Sequence, residues 1–178
     1  MTPDDISACF DRFTGTVFRL ECRRAYAVDA ETEEIAAFRL GRPRPVRSVR
    51  TSKWLARIAV TTIAGKHWQR VRIADDPLTG YQEFQLGAYV ESQAAGEEIR
   101  IAARSAGIPD DHDFWLFDGG TLGAYALFLD YGDDDQFTAA RLVADPEALA
   151  RCQAIREQSL RLSVPLNEYL AGRVRTAA

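Results

Sequence analysis

Two segments of the chain carry side chains that bind anions or transfer protons. In the first, His67-Trp68-Gln69-Arg70-Val71-Arg72-Ile73, two arginines alternate with a tryptophan along a pattern typical of extended backbone. A guanidinium fork beside an indole face suits a planar anionic ligand, such as a phosphate, a nucleotide or a carboxylate. Trp68, Arg70 and Arg72 are therefore candidate ligand-binding residues.

The second segment, His112-Asp113-Phe114-Trp115-Leu116-Phe117-Asp118, contains one of the two histidines of the chain. Neighbouring carboxylates are able to orient an imidazole as a general acid or base, which makes His112 the candidate catalytic residue. Trp115 and Asp118 extend the candidate ligand-binding set. The acids around His112 lack the spacing that is typical of metal ligands, so no metal is expected.

Each of these candidates also has a structural interpretation. Arg70 and Arg72 are consistent with internal ion pairs to the aspartates in and beside the second segment, which are Asp110, Asp111, Asp113 and Asp118. His112 is consistent with a solvated loop. Whether the two arginines form a ligand site or structural ion pairs stays open at this point.

The chain contains no common cofactor motif. There is no P-loop, no GxGxxG and no Gly-x-Ser-x-Gly pattern, so no cofactor is expected. Cys9, Cys22 and Cys152 lack CxxC spacing, which predicts buried reduced thiols rather than a disulfide framework or a zinc cage. The run of three aspartates at 133–135 covers only part of a calcium loop and is predicted to be a solvated hairpin turn.

The Arg-rich segment is predicted to be the second strand of a hairpin. Trp54–Ile63 and His67–Ile73 are both rich in β-branched residues, and a short turn around Gly65 separates them. Within the second strand, Val71 and Ile73 share the face that is expected to contact the core. The two arginines of this strand are therefore expected to point away from that face.

The second segment is predicted to begin a three-stranded meander. The unbroken apolar content of Phe114–Phe117 indicates a buried strand, and two glycine turns lead into strands at Leu122–Tyr131 and Phe137–Val143. Shorter strands are predicted at Val17–Cys22 and Glu98–Ala102. Capping and proline signals predict helices after Asp4 or Asp5, from Asp29 to Leu40, from Asp76 to Ala88, and from Asp145 until Pro165 breaks the last one, with a short tail beyond.

These elements predict one α+β domain over residues 1–178, with a mixed, mainly antiparallel sheet and helices packed on it. One hydrophobic core is sufficient at this length, because a folded chain of 178 residues buries roughly 70% of the surface that it exposes when unfolded. Residues 42–53 form an Arg/Pro loop within the domain, since Pro43 and Pro45 are incompatible with helix.

The basic side chains are concentrated in one range. Ile35–Ala74 contains ten Lys and Arg residues and no Asp or Glu, so all 26 acids lie outside it. Such a run indicates either an anionic partner or an internal acidic one. Nucleic acid is not expected, because the acidic remainder repels polyanions and no helix-turn-helix or other reading motif is present.

The N-terminal residues do not have the pattern of a secretory signal. They include no basic region followed by an apolar one, and no apolar run in the chain approaches the ~18 residues of a membrane span. A cytoplasmic protein without membrane contact is therefore expected.

Four motifs occur together in this chain: Gly65-Lys66-His67-Trp68-Gln69-Arg70-Val71-Arg72-Ile73, Pro77-Leu78-Thr79-Gly80-Tyr81, Ala94-Ala95-Gly96-Glu97-Glu98-Ile99-Arg100 and Asp113-Phe114-Trp115-Leu116-Phe117-Asp118. With these motifs the chain resembles, from about Phe10 to Leu170, an actinobacterial family of domains of unknown function. Members of that family often lie beside helix-turn-helix regulators of the Scr1 antitoxin-like type. The resemblance implies a role near transcriptional regulation and brings no established catalytic residue.

Two functions from different classes are the resulting expectations. The first is a non-enzymatic binding or regulatory accessory module that acts with a transcriptional regulator. Its contact is with a protein partner, the helix-turn-helix regulator, or with a small anionic ligand. The alternative is a small enzyme that acts on an anionic metabolite, with His112 as acid or base and with Arg70 and Arg72 as an anion clamp. That alternative requires His112 and both arginines to line one pocket.

Overall fold

The computed structural model describes residues 1–176, with side chains as far as Val174. Within this range one sheet has the strand order β6-β5-β4-β1-β2-β3-β7. The strands are β1 Thr16–Glu21, β2 His67–Ala74, β3 Glu97–Ala103, β4 Asp113–Phe117, β5 Tyr125–Tyr131, β6 Phe137–Val143 and β7 Val164–Pro165. The α-helices are α1 Pro3–Arg12, α2 Thr32–Arg39, α3 Lys53–Ile63, α4 Gly80–Ala94, α5 Pro146–Arg161 and α6 Leu166–Thr176. No helix in the described range is long and apolar enough to cross a lipid bilayer.

The sheet is mixed. Strands β1, β2 and β3 run parallel to one another, and every other neighbouring pair is antiparallel. Parallel neighbours need crossover connections, and these contain α2 and α3 between β1 and β2, and α4 between β2 and β3. The predicted fold class, an α+β domain with a mixed and mainly antiparallel sheet, is confirmed.

The prediction of a strand at Trp54–Ile63 is wrong, because these residues belong to α3. Ser52 caps this helix by accepting a hydrogen bond from the Leu55 backbone N–H at 3.3 Å. Leu55 and Ile58, three residues apart, are its buried positions. The strand-like composition comes from β-branched residues near the C-terminus of the helix, of which Ile63 is 88% exposed. No hairpin forms, and β2 instead pairs with β1 in parallel.

The prediction of a short tail after Pro165 is also wrong. Pro165 ends the edge strand β7, a position where a missing N–H donor is tolerated, and α6 follows directly. The first residue of α6, Leu166, is 1% exposed and belongs to a core cluster with Ile101 of β3. The final segment therefore covers one end of the sheet.

Other predicted elements differ from the structure in their boundaries. Helix α4 begins at Gly80 rather than at Asp76, because Thr79 and Gln82 form a reciprocal capping box there. Helix α1 is capped by Thr2 in the same way, with Asp5 as the third residue of the helix. Strand β6 has the predicted bounds.

The two faces of the central strands differ in chemistry. The α5 face carries apolar side chains from β1 and β2 that pack with α5: Phe18, Leu20, Val71 and Ile73. The α3 face carries the alternating side chains, which lie beneath α1, α3 and α4: Val17, Arg19, Glu21, Trp68, Arg70 and Arg72. As predicted, the arginines of β2 point away from the face of Val71 and Ile73. That opposite face is itself buried.

An aromatic cluster fills one end of the α3 face. Phe10 of α1 stacks on Trp68 with 5.9 Å between ring centroids and meets Trp115 edge-on at 4.9 Å. The Trp68 Nε1–H donates to the Thr61 Oγ1 at 2.7 Å, which satisfies the polar atom of the buried indole. Trp68 and Trp115, two of the candidate ligand-binding residues, are thus packed into the core.

Candidate functional site

A cluster of charged side chains lies at the centre of the α3 face. Arg19 and Glu21 of β1 lie beside Arg70 and Arg72 of β2, because the parallel register aligns Arg19 with Arg70 and Glu21 with Arg72. All four residues are buried. Since a buried charge is costly unless it is paired, the contacts of each side chain decide what the cluster is able to do.

Arg70 is held between two carboxylates. Its Nη1 donates to Glu21 Oε1 at 2.5 Å, and its Nε donates to Glu97 Oε1 at 2.9 Å. Glu97 is the first residue of β3 and is 1% exposed. The Tyr89 hydroxyl donates to the second oxygen of Glu21 at 2.5 Å. The internal partners of Arg70 are therefore two glutamates, and not the aspartates that the sequence suggested.

Arg19 and Arg72 meet a second acidic centre at Asp113. The Arg19 Nη2 donates to Asp113 Oδ2 at 2.7 Å, and the Tyr26 hydroxyl donates to the same oxygen at 2.5 Å. Arg72 donates to the Tyr26 hydroxyl at 3.2 Å and packs its guanidinium over the same ring. Cys22 contributes its backbone N–H to Asp113 Oδ1 at 2.8 Å. We call Arg19, Glu21, Arg70, Arg72, Glu97 and Asp113 together the charged cluster.

The two glutamates of the charged cluster have opposite pKa shifts. Burial by itself raises the pKa of Glu21, but the guanidinium groups of Arg70 and Arg19 outweigh it and lower that pKa to about 2. For Glu97 burial is the stronger effect, so its pKa is raised even though Arg70 is bonded to it. Burial lowers the pKa of Arg70, yet Glu21 and Glu97 raise it overall, and Arg70 stays charged.

Hydrogen-bond donors exceed acceptors in the charged cluster. Every carboxylate oxygen of Glu21, Glu97 and Asp113 accepts at least one hydrogen bond. In contrast, Arg19 Nη1 and Arg72 Nε and Nη2 are buried without a partner. An unpaired buried donor costs about 1–3 kcal/mol, so these atoms favour an added acceptor.

A cavity of about 370 Å³ opens above the charged cluster. Arg19, Glu21 and Arg70 line it from the sheet, and Gln85 and Ala88 line it from α4. Aromatic rings form much of the remaining wall: Tyr26, Trp54, Tyr81, Tyr89, Tyr131 and Phe137. Its volume falls at the lower end of the ~300–1,000 Å³ range of small-molecule sites. We call it the charged cavity.

The Arg/Pro loop borders the mouth of the charged cavity. Arg47 and Ser52 from this loop line the cavity. Glu91 of α4 holds the loop by accepting from Arg44 Nη1 at 2.8 Å, from the Arg47 backbone N–H at 2.7 Å and from Arg47 Nε at 3.2 Å. The loop is therefore attached at one acidic residue beside the cavity.

The structure does not bring His112 to this cavity. Its side chain is 48% exposed, its Nδ1 lies 3.2 Å from Asp111 Oδ2, and its ring stacks on Phe128. It lines a separate cavity of about 350 Å³ with Phe114 and Cys152, on the α5 face. His112 also lines a smaller cavity of about 200 Å³ with Asp113 and Tyr131, and Arg70 lines neither of these two cavities.

The other candidates differ in their position relative to the charged cavity. Of the predicted ligand-binding residues, Arg70 lines the cavity. Trp115 packs beneath it, with the guanidinium groups of Arg19 and Arg70 at 5.3 and 5.5 Å from its ring. Asp118 lies elsewhere and accepts the backbone N–H groups of Thr14, Gly15 and Thr16.

Several residues of the site were not identified from the sequence. They are Arg19, Glu21, Tyr26, Gln85, Tyr89, Arg47 and Glu97. The sequence contained one signal for Arg19 and Glu21. These residues alternate with apolar residues in β1, as the arginines do in β2. Two such strands side by side place their charges on a common face.

No group of three or more His, Cys, Asp and Glu side chains in the described part of the chain is arranged to hold a metal ion. In a comparison with protein families, a model described as a domain of unknown function (DUF6879) matches residues 4–171. No curated protein matches the chain.

Proposed function

The chain belongs to the DUF6879 family of domains of unknown function, and from this premise we propose that it is a non-enzymatic binding module. Its charged cavity holds a small anionic ligand, and the protein acts with a helix-turn-helix transcriptional regulator. The observation that carries the proposal is the unpaired guanidinium donor of Arg19, a residue that lines the cavity. A ligand anion satisfies that donor.

The residues that line the charged cavity suit binding better than catalysis. None of the described lining residues is His, Cys, Lys or Asp. Glu21, with a pKa of about 2, is a poor proton acceptor at neutral pH. Burial first, and then Glu21, raise the pKa of Tyr89, which keeps this hydroxyl protonated. The lining thus offers fixed hydrogen-bond donors and aromatic surface.

The regulator as partner rests on the resemblance described above. Members of the resembled family often lie beside helix-turn-helix regulators, and an accessory protein that binds a metabolite supplies such a regulator with a signal. In this proposal the ligand alters the affinity between the two proteins, and the regulator alters the affinity for the ligand by the same factor.

The enzyme alternative has weaker geometric support. It needs His112 and the arginines of β2 in one pocket, whereas His112 lines a cavity on the α5 face. No contact in the described structure links His112 to Arg70 or Arg72, and we therefore do not propose a reaction.

The test begins with protein purified from its native host under native conditions. Denaturation followed by mass spectrometry is expected to release a small anion in a fixed molar ratio. The Ala88→Trp variant fills the charged cavity from α4 and is expected to release none, whereas Val90→Trp, on the exposed side of the same helix, retains it.

The same preparations test the regulator. A tagged protein is expected to recover a helix-turn-helix regulator, with a yield that differs between Ala88→Trp and Val90→Trp. Equal ligand content in the two variants, or folded protein that carries no small molecule and recovers no regulator, would contradict the proposal.

A further inference from the structure

The charges around the charged cavity disfavour a ligand with more than one negative charge. The lining contains three arginines, Arg19, Arg47 and Arg70, and two glutamates, Glu21 and Glu31. Each of these arginines is also paired with an acid outside the lining, which is Asp113, Glu91 and Glu97 respectively. Arg70 is bonded to two carboxylates, whereas Arg19, although its Nη2 binds Asp113, retains Nη1 as a buried donor without a partner. A dianion placed there also meets the ionised Glu21, which lies 3.6 Å from Arg19 Nε. Like charges in a buried site repel strongly, and a monoanion avoids most of this cost.

Two residues that line the charged cavity each have one buried polar atom without a hydrogen-bond partner. Arg19 Nη1 is a buried donor without a partner, and Gln85 Oε1 is a buried acceptor without a partner. Both residues line the cavity, Arg19 from the sheet and Gln85 from α4. A ligand that carries an acceptor and a donor satisfies both atoms when each side chain turns its unpaired atom toward the cavity.

The walls favour a flat aromatic body between those two groups. Three tyrosine hydroxyls donate to carboxylates, Tyr26 to Asp113, Tyr81 to Glu31 and Tyr89 to Glu21, and the Tyr131 hydroxyl accepts from Arg19 at 3.4 Å. The tyrosines therefore present ring surface rather than hydroxyl groups to the cavity, together with Trp54 and Phe137. Ring surfaces of this kind stack on aromatic ligands or meet them edge-on.

From these three observations we infer that the ligand is an aromatic monocarboxylate with one hydroxyl or N–H donor on its ring system. The carboxylate binds Arg19, the ring lies among the tyrosines, and the ring donor binds the side-chain oxygen of Gln85. This inference rests on the proposed function and specifies the ligand class of the same cavity.

The probes are 4-hydroxybenzoate, 4-aminobenzoate and indole-3-carboxylate. Their binding to the full chain is measured by calorimetry and by thermal shift. At least one is expected to bind and to raise the melting temperature by an amount that grows with the logarithm of ligand concentration over Kd. The methyl ester of that probe, which lacks the charge, is expected to bind about tenfold or more weakly. Benzoate, which lacks the ring donor, and 4-hydroxyphenyl phosphate, a dianion, are also expected to bind more weakly.

The Gln85→Leu variant tests the position of the ring donor. Because Gln85 Oε1 has no partner, its removal is not expected to destabilise the fold. In this variant 4-hydroxybenzoate is expected to lose affinity until it matches benzoate, while benzoate itself binds as before. Ala88→Trp is expected to abolish binding of every probe, and Val90→Trp is expected to change none.

The outcomes separate this inference from the proposed function. If an ester binds as tightly as its acid and Ala88→Trp abolishes both, the cavity binds ligands but the carboxylate assignment is wrong. If no probe binds up to millimolar concentration while native protein carries another molecule in the cavity, the ligand class is wrong and the function stands. If no probe binds and native protein carries nothing, both are wrong.

Discussion

Arg70 shows how a buried charge defines the candidate site at the scale of single residues. It is bonded to Glu21 and Glu97 and lies over the ring of Tyr89. A buried ion-pair network of this kind contributes little net stability compared with apolar packing, because the desolvation of the charges offsets their attraction. Its value lies in fixing positions, since neither glutamate is able to turn away from Arg70 without leaving a buried charge unpaired.

We predict that Arg70→Met lowers the free energy of unfolding at pH 7 by about 3–5 kcal/mol, because it leaves Glu21 and Glu97 buried without their cation. This loss of unfolding free energy is expected to be smaller at pH 4.5, because protonation of the two glutamates removes their unpaired buried charges. Urea denaturation at both pH values measures it. The triple variant Arg70→Met, Glu21→Gln, Glu97→Gln is expected to recover most of the stability. A triple variant no more stable than Arg70→Met would argue against this explanation.

Asp118, a candidate ligand-binding residue, is placed to stabilise the entry to β1. Its two oxygens accept the backbone N–H groups of Thr14, Gly15 and Thr16 at 2.7, 2.7 and 3.0 Å. Burial raises the pKa of Asp118, but these backbone hydrogen bonds outweigh it and hold that pKa below its usual 3.8. A group whose pKa is lowered by folding stabilises the folded state wherever it is ionised.

We predict that Asp118→Asn lowers the free energy of unfolding by about 2 kcal/mol at pH 7. Asparagine tolerates the positive φ of 50° at this position, so the change tests the charge rather than the backbone. The stabilisation by Asp118 is present above pH 3.8 and is lost as the pH falls through its lowered folded pKa. The difference between wild type and variant in denaturant titrations should therefore narrow below pH 3.8. Asp133→Asn, in an exposed turn, serves as the control, and a difference that stays constant at low pH would contradict the role of the charge.

At the scale of elements, the crossover between β1 and β2 builds the mouth of the charged cavity. The parallel pairing of these strands requires a long connection, and that connection contains α2, the Arg/Pro loop and α3. Because α3 and α4 lie on the same face, the loop passes close enough to α4 for Glu91 to bind it. A hairpin at this point would have left the charged cluster uncovered.

We predict that Glu91→Gln loosens the Arg/Pro loop, because it removes the charge and places an amide NH₂ donor against one of the arginines it holds. Trypsin is expected to cut within residues 42–50 several-fold faster, while the free energy of unfolding falls by about 1–2 kcal/mol. Timed digestion followed by mass spectrometry locates the cuts. Glu83→Gln, on the same helix but in an exposed pair with Arg173, should change neither rate nor stability. Equal cleavage in the two variants would rule out this attachment.

At the scale of the whole molecule, opposite charges from distant parts of the chain meet inside the fold. Within the basic range, Arg44 and Arg47 bind Glu91, and Arg57 approaches Asp11 at 3.4 Å. The sequence of the basic range indicated either an anionic partner or an internal acidic one, and these contacts are with internal acids. The far edge of the sheet is closed by β7 and α6, whose Leu166 completes a third core cluster.

We predict that Leu166→Ala lowers the free energy of unfolding by about 3 kcal/mol, because it removes a side chain that is 1% exposed in that cluster. Leu162→Ala, at a position 45% exposed, should change it by less than about 0.5 kcal/mol. Urea titrations measure both, and an unchanged slope shows that the fold is retained. Similar values for the two variants would show that α6 is not part of the cooperative core.

The features that the sequence determined alone are those that depend on neighbouring residues. Period-two alternation placed Val71 and Ile73 opposite the arginines of β2, and turn and capping signals located β6 and the start of α5 at Asp145. The general fold class followed from the order of such elements. Each of these signals acts over a few residues and therefore appears directly in the amino-acid sequence.

The tertiary structure alone decided the features that depend on distant contacts. Arg70 finds its partners 27 and 49 residues away, and no local pattern distinguishes those glutamates from the aspartates near His112. The β-branched end of α3 is compatible with strand or helix by composition, and its cap and buried positions selected helix. His112 precedes β4 and stacks on Phe128, whereas Arg70 lies in β2 among the residues of the charged cavity, and this separation depends on how distant strands pair.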